Sequence, residues 1–216
     1  MLSVKEIRQI CKIFNSINPD PKIELKSINN FTLLIAIVLS AQSTDKMVNR
    51  CTESLFKVCA TPEDVLSIGK AKFTEYVKYI GIYRNKTNYI FCLSQVLLQD
   101  YNGIVPSTFK ELIKLPGVGA KTANVFLNSA FGKPTIGVDR HILRIVKKIG
   151  ISNGETPDAV MKDLKHIIPV KYHKQIHHWL VLHGRYICKA TKQLCSKCPI
   201  SSCCEEFNKK LQTNLS

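Results

Sequence analysis

At 216 residues, 45% of them apolar, the chain is no disordered polypeptide and can bury one large core or two smaller ones. Its 31 Lys plus Arg against 16 Asp plus Glu leave a charge of +15, which favours a polyanionic partner such as DNA. Lysines outnumber arginines 25 to 6, a skew that coding bias alone can produce, so charge does not decide the function. The longest apolar stretch, residues 31–39, is far short of the ~20 residues a membrane-spanning helix needs. Lys5, Glu6 and Arg8 break any signal-peptide core, so a soluble cytoplasmic protein with no membrane partner is expected.

Helical spacing runs through nearly the whole chain. Val4, Ile7, Ile10, Cys11 and Phe14 recur at three- and four-residue steps and predict a first helix with one apolar face. Residues 31–40 are apolar all round, as suits a helix buried at the centre of a bundle. Thr61-Pro62-Glu63-Asp64 combines a hydroxyl N-cap, a first-turn proline and acidic residues facing the dipole. Gly69, Gly81, Gly103, Gly132 and Gly150 punctuate the pattern where helices end. No sustained strand alternation interrupts it. The class is all-α.

Two glycines flank one valine in LPGVGAKTANVF (residues 115–126), between a predicted helix at 109–113 and another at 120–130. Glycine permits a tight hairpin and offers no side chain to block a ligand. Amides at the turn and the helix start can then meet a phosphate, with Val118 anchoring the hairpin on the core. Lys121 falls in the first turn of the second helix, where the dipole opposes a cation and nudges an amine toward its neutral, nucleophilic form. A tolerated surface lysine has the same address. Further on, GVDRHILRI (residues 137–145) places Asp139 as the N-cap of a helix running to about residue 148, a structural role that needs no chemistry.

The chain has nine cysteines. Cys11, Cys51, Cys59 and Cys92 lie in apolar periodic segments and read as small core residues of a reducing compartment. The other five crowd near the carboxyl end. The spacing Cys188-x6-Cys195-x2-Cys198-x5-Cys204 supplies four thiolates, enough for a four-iron cubane or one zinc. Cys203 is the odd one out. Lys189, Lys192 and Lys197 share the loop and are candidates for phosphate contact.

Together the LPGVGAKTANV hairpin, the VDRHILRI helix start and the four-cysteine tail resemble bacterial endonuclease III, a helix–hairpin–helix DNA glycosylase and AP lyase family. The likeness runs nearly end to end, through LLIAIVLSAQSTD (33–45), IGIYRNK (80–86) and HHWLVLHGRYIC (177–188). It implies a six-helix barrel domain at residues 22–132 carrying the hairpin. A second domain would join residues 1–21 to 133–216 around one [4Fe–4S] cluster per chain, held by Cys188, Cys195, Cys198 and Cys204. Damaged double-stranded DNA would lie across the cleft between the two.

By the same resemblance Lys121 matches the catalytic lysine and Asp139 the catalytic aspartate. Gln42 matches the glutamine that fills the space a flipped nucleotide vacates, and Ile82 and His141 the other residues wedged into the duplex. Gly117, Val118 and Gly119 would grip phosphate. Arg140 stands where the family usually carries threonine and adds a candidate phosphate contact. The implied activity is removal of oxidised or damaged pyrimidines, then cleavage 3′ to the abasic site by β-elimination through a lysine Schiff base. The implied setting is a monomeric, nucleoid-associated bacterial enzyme. The sister glycosylase that excises adenine from mispairs lacks the lysine at 121 and carries an extra carboxyl-terminal domain. A non-catalytic binding module with a zinc knuckle is the rival from another class.

Overall fold

The computed structural model describes residues 1–213. Among them no strand forms, and one isolated antiparallel bridge joins Cys188 and Gln193. The helices are α1 (Val4–Ile17), α2 (Asn30–Ser40), α3 (Asp45–Leu55), α4 (Pro62–Ile68), α5 (Lys70–Val77) and α6 (Tyr83–Tyr101). They continue with α7 (Phe109–Leu112), α8 (Ala120–Phe131), α9 (Arg140–Ile149), α10 (Pro157–Ile167), α11 (His173–Tyr186) and α12 (Glu205–Thr213). The chain divides into two compact units, Ile23–Lys133 and the pairing of Met1–Lys22 with Pro134–Ser216.

The central unit is built around α2. Nine consecutive residues of this helix, 31–39, are buried, which the all-round apolar sequence demands. Each Leu or Ile removed from water stabilises the unit by roughly 1.5–3 kcal/mol. Its start is fixed by a reciprocal cap: Thr32 N–H donates to Asn29 Oδ1 at 2.8 Å and Asn29 N–H to Thr32 Oγ1 at 3.0 Å. Helices α3, α6 and α8 pack on α2, and Phe73 meets Phe91 edge-on at 5.6 Å. Thr61 caps α4 with Pro62 at its first turn, and Asp64 returns a carboxylate to the Ala60 and Thr61 amides, both at 2.9 Å. Cys51 and Cys59 are buried here as expected, but Cys92 is exposed. It falls between Phe91 and Leu93 on α6, and the buried stripe Ile90, Phe91, Leu93, Ser94 and Leu97 turns it outward.

The second unit buries Ile7, Ile10, Cys11 and Phe14 of α1 together with Ile142, Ile145, Val146 and Ile149 of α9 and Ile176, Trp179 and Leu180 of α11. Trp179 Nε1–H donates to the Asn18 carbonyl at 2.8 Å, tying α11 to the end of α1. Helices α9 and α11 approach closely at Gly184, where an added Cβ would fall 2.1 Å from Ile145 Cδ1. A larger residue there would have to displace the end of the Ile145 side chain. The close approach brings Arg144 over the end of α11, where its guanidinium donates to the carbonyls of Gly184 at 3.4 Å and Cys188 at 2.7 Å. Arg144 thus anchors the start of the cysteine loop on α9.

Candidate nucleic-acid interface and cysteine loop

The hairpin forms at residues 115–119. Val118 N–H donates to the Leu115 carbonyl at 3.1 Å and its side chain is buried in the core of the central unit. Gly117 takes φ +77°, and a Cβ there would stand 2.7 Å from Tyr89 Cβ, so both conformation and space exclude other residues. Gly119 is different: its backbone is extended and a Cβ would meet nothing within 4 Å. No protein contact requires that glycine, which leaves an open side for a ligand. Gly119 is also the N-cap of α8 and has no side chain with which to cap it. The first-turn amides of α8 therefore keep their attraction for an anion. Lys121 is exposed at the second position of this helix.

In the second unit Asp139 is the N-cap of α9, its Oδ1 accepting from Ile142 N–H at 2.9 Å. Arg140 and His141 follow it in the first turn, and both are exposed. In the central unit Gln42 and Ile82 are exposed and both adopt φ +55°, the left-handed region that non-glycine residues seldom enter.

The four spaced cysteines come together. Cys188, Cys195, Cys198 and Cys204 line one small cavity whose other walls include Ile149, His183, Ile187, Leu194, Ile200 and Phe207. Cys188 follows α11, two 3₁₀ turns carry Cys195 and lead into Cys198 and Cys204, and the Cys204 carbonyl begins α12. Cys203 lines a separate surface hollow with Ser3, Arg8 and Lys12 of the α1 face. Among the described residues no set of three or more His, Cys, Asp or Glu is gathered to chelate a metal ion. Burial pushes the Cys198 thiol up to about 11 and the Cys204 thiol upward too. At neutral pH these thiols keep their protons until a cation displaces them. His183, 3.8 Å from Cys198 Sγ, is driven down to about 4 by burial and then by Arg144, so it stays neutral. Lys189, Lys192 and Lys197 lie on the loop, and all three are exposed. Arg144 carried no assigned role in the sequence; the signal for it was its place at the end of the GVDRHILR string.

Residues 35–170 match the model of the HhH-GPD superfamily of base excision DNA repair proteins. The chain is 50% identical to an endonuclease III of Rickettsia felis, over 94% of this chain and 95% of the relative. It is 43% identical to one of Treponema pallidum, over 96% and 99%. Among solved structures, a trapped endonuclease III–DNA covalent intermediate (an estranged-adenine complex) is 41% identical and superposes with a TM-score of 0.91, covering 98% of this chain and all of that one. The chain belongs to the endonuclease III family within the HhH-GPD superfamily. It is a base-excision-repair DNA glycosylase.

Proposed function

We propose that the protein binds duplex DNA holding oxidised or damaged pyrimidines, excises the base, and cleaves the strand 3′ to the abasic site with Lys121 as nucleophile. The observation that carries this reading is Lys121 itself, an exposed amine in the first turn of α8, two residues past the glycine that leaves this helix without a side-chain cap. That a 41% identical endonuclease III forms a covalent intermediate with DNA supports it. Base stacking hides the sugar, so the damaged nucleotide is extruded at a cost of a few kcal/mol, least for a lesion that stacks badly. The neutral amine attacks C1′, the C1′–N bond to the base breaks, and a protonated imine joins Lys121 to the opened sugar. Loss of a C2′ proton then expels the 3′ phosphate, and the imine hydrolyses to free the lysine. Asp139 takes a proton or stabilises positive charge on the opening sugar.

The cysteine cavity fits a cluster: four thiols line it among largely apolar residues, while Cys203 lines a separate hollow. Cys188, Cys195, Cys198 and Cys204 would hold one [4Fe–4S] group, whose task in this reading is to order the loop bearing Lys189, Lys192 and Lys197. No step of the chemistry requires it.

Asp139→Asn separates the aspartate's two roles. Asparagine caps a helix as well as aspartate does, so stability should change by less than about 1 kcal/mol. Base excision should slow by about 10²–10⁴-fold. Cleavage of a preformed abasic site should suffer far less, because an aldehyde forms an imine without help at a glycosidic bond. Equal losses on both substrates, measured under single turnover, would remove Asp139 from the excision step.

The loop lysines are tested by salt. Removing one lysine–phosphate pairing should reduce the slope of log affinity against log salt by about 0.9. Lys192→Ala with wild-type affinity and slope would place that residue off the DNA.

A further inference from the structure

Helix α2 ends at Ser40 with Ala41 as its C-cap and has no basic residue in its own last turn. The carbonyls of such an end lack intrahelical partners and carry the negative pole of the dipole. The missing cation arrives from another helix. Lys86 of α6 is buried to 5% exposure, and its ammonium donates to the Leu39 carbonyl at 3.0 Å and to the Ala41 carbonyl. Its own position, in the first turn of α6, is one where the dipole disfavours a cation. The lysine is therefore explained by α2 and not by α6.

Both ends of this bridge touch a left-handed residue. Ala41 immediately precedes Gln42, and Lys86 N–H donates at 3.2 Å to the carbonyl of Ile82, the N-cap of α6. A β-branched residue at φ +55° is an outlier that surrounding structure must enforce. The two loops also touch directly. Gly81 N–H donates to Ser43 Oγ at 3.1 Å, and a Cβ on Gly81 would stand 2.8 Å from the Gln42 carbonyl oxygen. Gly81 is not in the left-handed region. Space, not φ, demands a glycine there.

We propose that Lys86 and Gly81 form a clamp that locks the Gln42 and Ile82 loops into one unit, so that both side chains are presented to the duplex in a fixed geometry. The clamp rests on the reading that Gln42 and Ile82 enter the duplex. Neither Lys86 nor Gly81 touches the reacting atoms; they are positioning residues. Lys86→Met keeps the apolar stem and removes the donors, whereas Gly81→Ala removes no group and forces the two backbones apart.

The test is single-turnover excision of a damaged pyrimidine, with each variant made in the wild-type chain and in a Gln42→Ala/Ile82→Ala chain. In the wild-type chain each should slow excision by about 10–10²-fold, the loss typical of a misplacement near 1 Å. In the double-alanine chain each should cost less than about threefold, because residues that act through one another are not additive. 2-Aminopurine beside the lesion should brighten on binding wild type and stay quenched with either variant. Equal losses in both backgrounds, or no loss in the wild-type chain, overturn the clamp while the two wedge residues stand. If the double-alanine chain excises as fast as wild type, the wedge reading fails and the clamp with it. Should Lys86→Met melt before assay, Gly81→Ala carries the test alone.

Discussion

Lys121→Gln protein is expected to bind a damaged duplex and leave it whole. Glutamine approximates the length of lysine and is at home in a helix. Residue 121 is exposed in the first turn of α8, so the fold should survive the exchange. Phosphate binding by the hairpin uses backbone amides that the substitution does not touch. What disappears is the basic amine. An amide nitrogen forms no imine, so strand cleavage should fall by at least about 10⁴-fold, as it does when a covalent nucleophile is deleted. Borohydride, which reduces an imine to a stable amine, should link wild-type protein to lesion DNA and leave Lys121→Gln unlinked.

Cys198→Ser is expected to have the next largest effect. Wild-type protein should be yellow-brown, with about four irons per chain and broad visible absorbance. Cys198 sits inside the cavity with the other three thiols, and serine is a poor ligand for iron. The variant should lose the colour and much of its soluble yield, since metal affinity is folding free energy for the loop it holds. Cys203→Ser should keep both, because Cys203 faces the α1 hollow and not the cavity. Colourless wild-type protein with a single zinc would overturn the cluster assignment.

What the sequence disclosed followed from how local the determining forces are. The hairpin, the Asp139 cap and the Thr61-Pro62 helix start are legible because their hydrogen bonds close within about four residues. The buried α2 is legible because nine residues in a row had nowhere to go but inside. Lys86 was invisible for the opposite reason. Its carbonyl partners lie 47 and 45 residues away, and its only trace in the sequence was a cation at a helix start. Gln42 and Ile82 gave no hint of left-handed backbone, since neither residue type favours it. Cys92 misled because a cysteine in an apolar segment reads as core, and a one-residue rotation about α6 decides otherwise. The four-cysteine spacing announced a shared loop, but the turn that directs Cys203 away from its neighbour Cys204 depends on the packing of that loop.

Peptide mapping of the borohydride-trapped complex identifies the amine that attacks the sugar. Wild-type protein is incubated with a duplex carrying a damaged pyrimidine, reduced, digested with protease and nuclease, and sequenced by mass spectrometry. The 25 lysines and the amino-terminal amine compete on equal terms in that experiment. A reduced sugar remnant is expected on Lys121, in the peptide that follows the hairpin. A remnant on any other amine, with Lys121 unmodified, would contradict it.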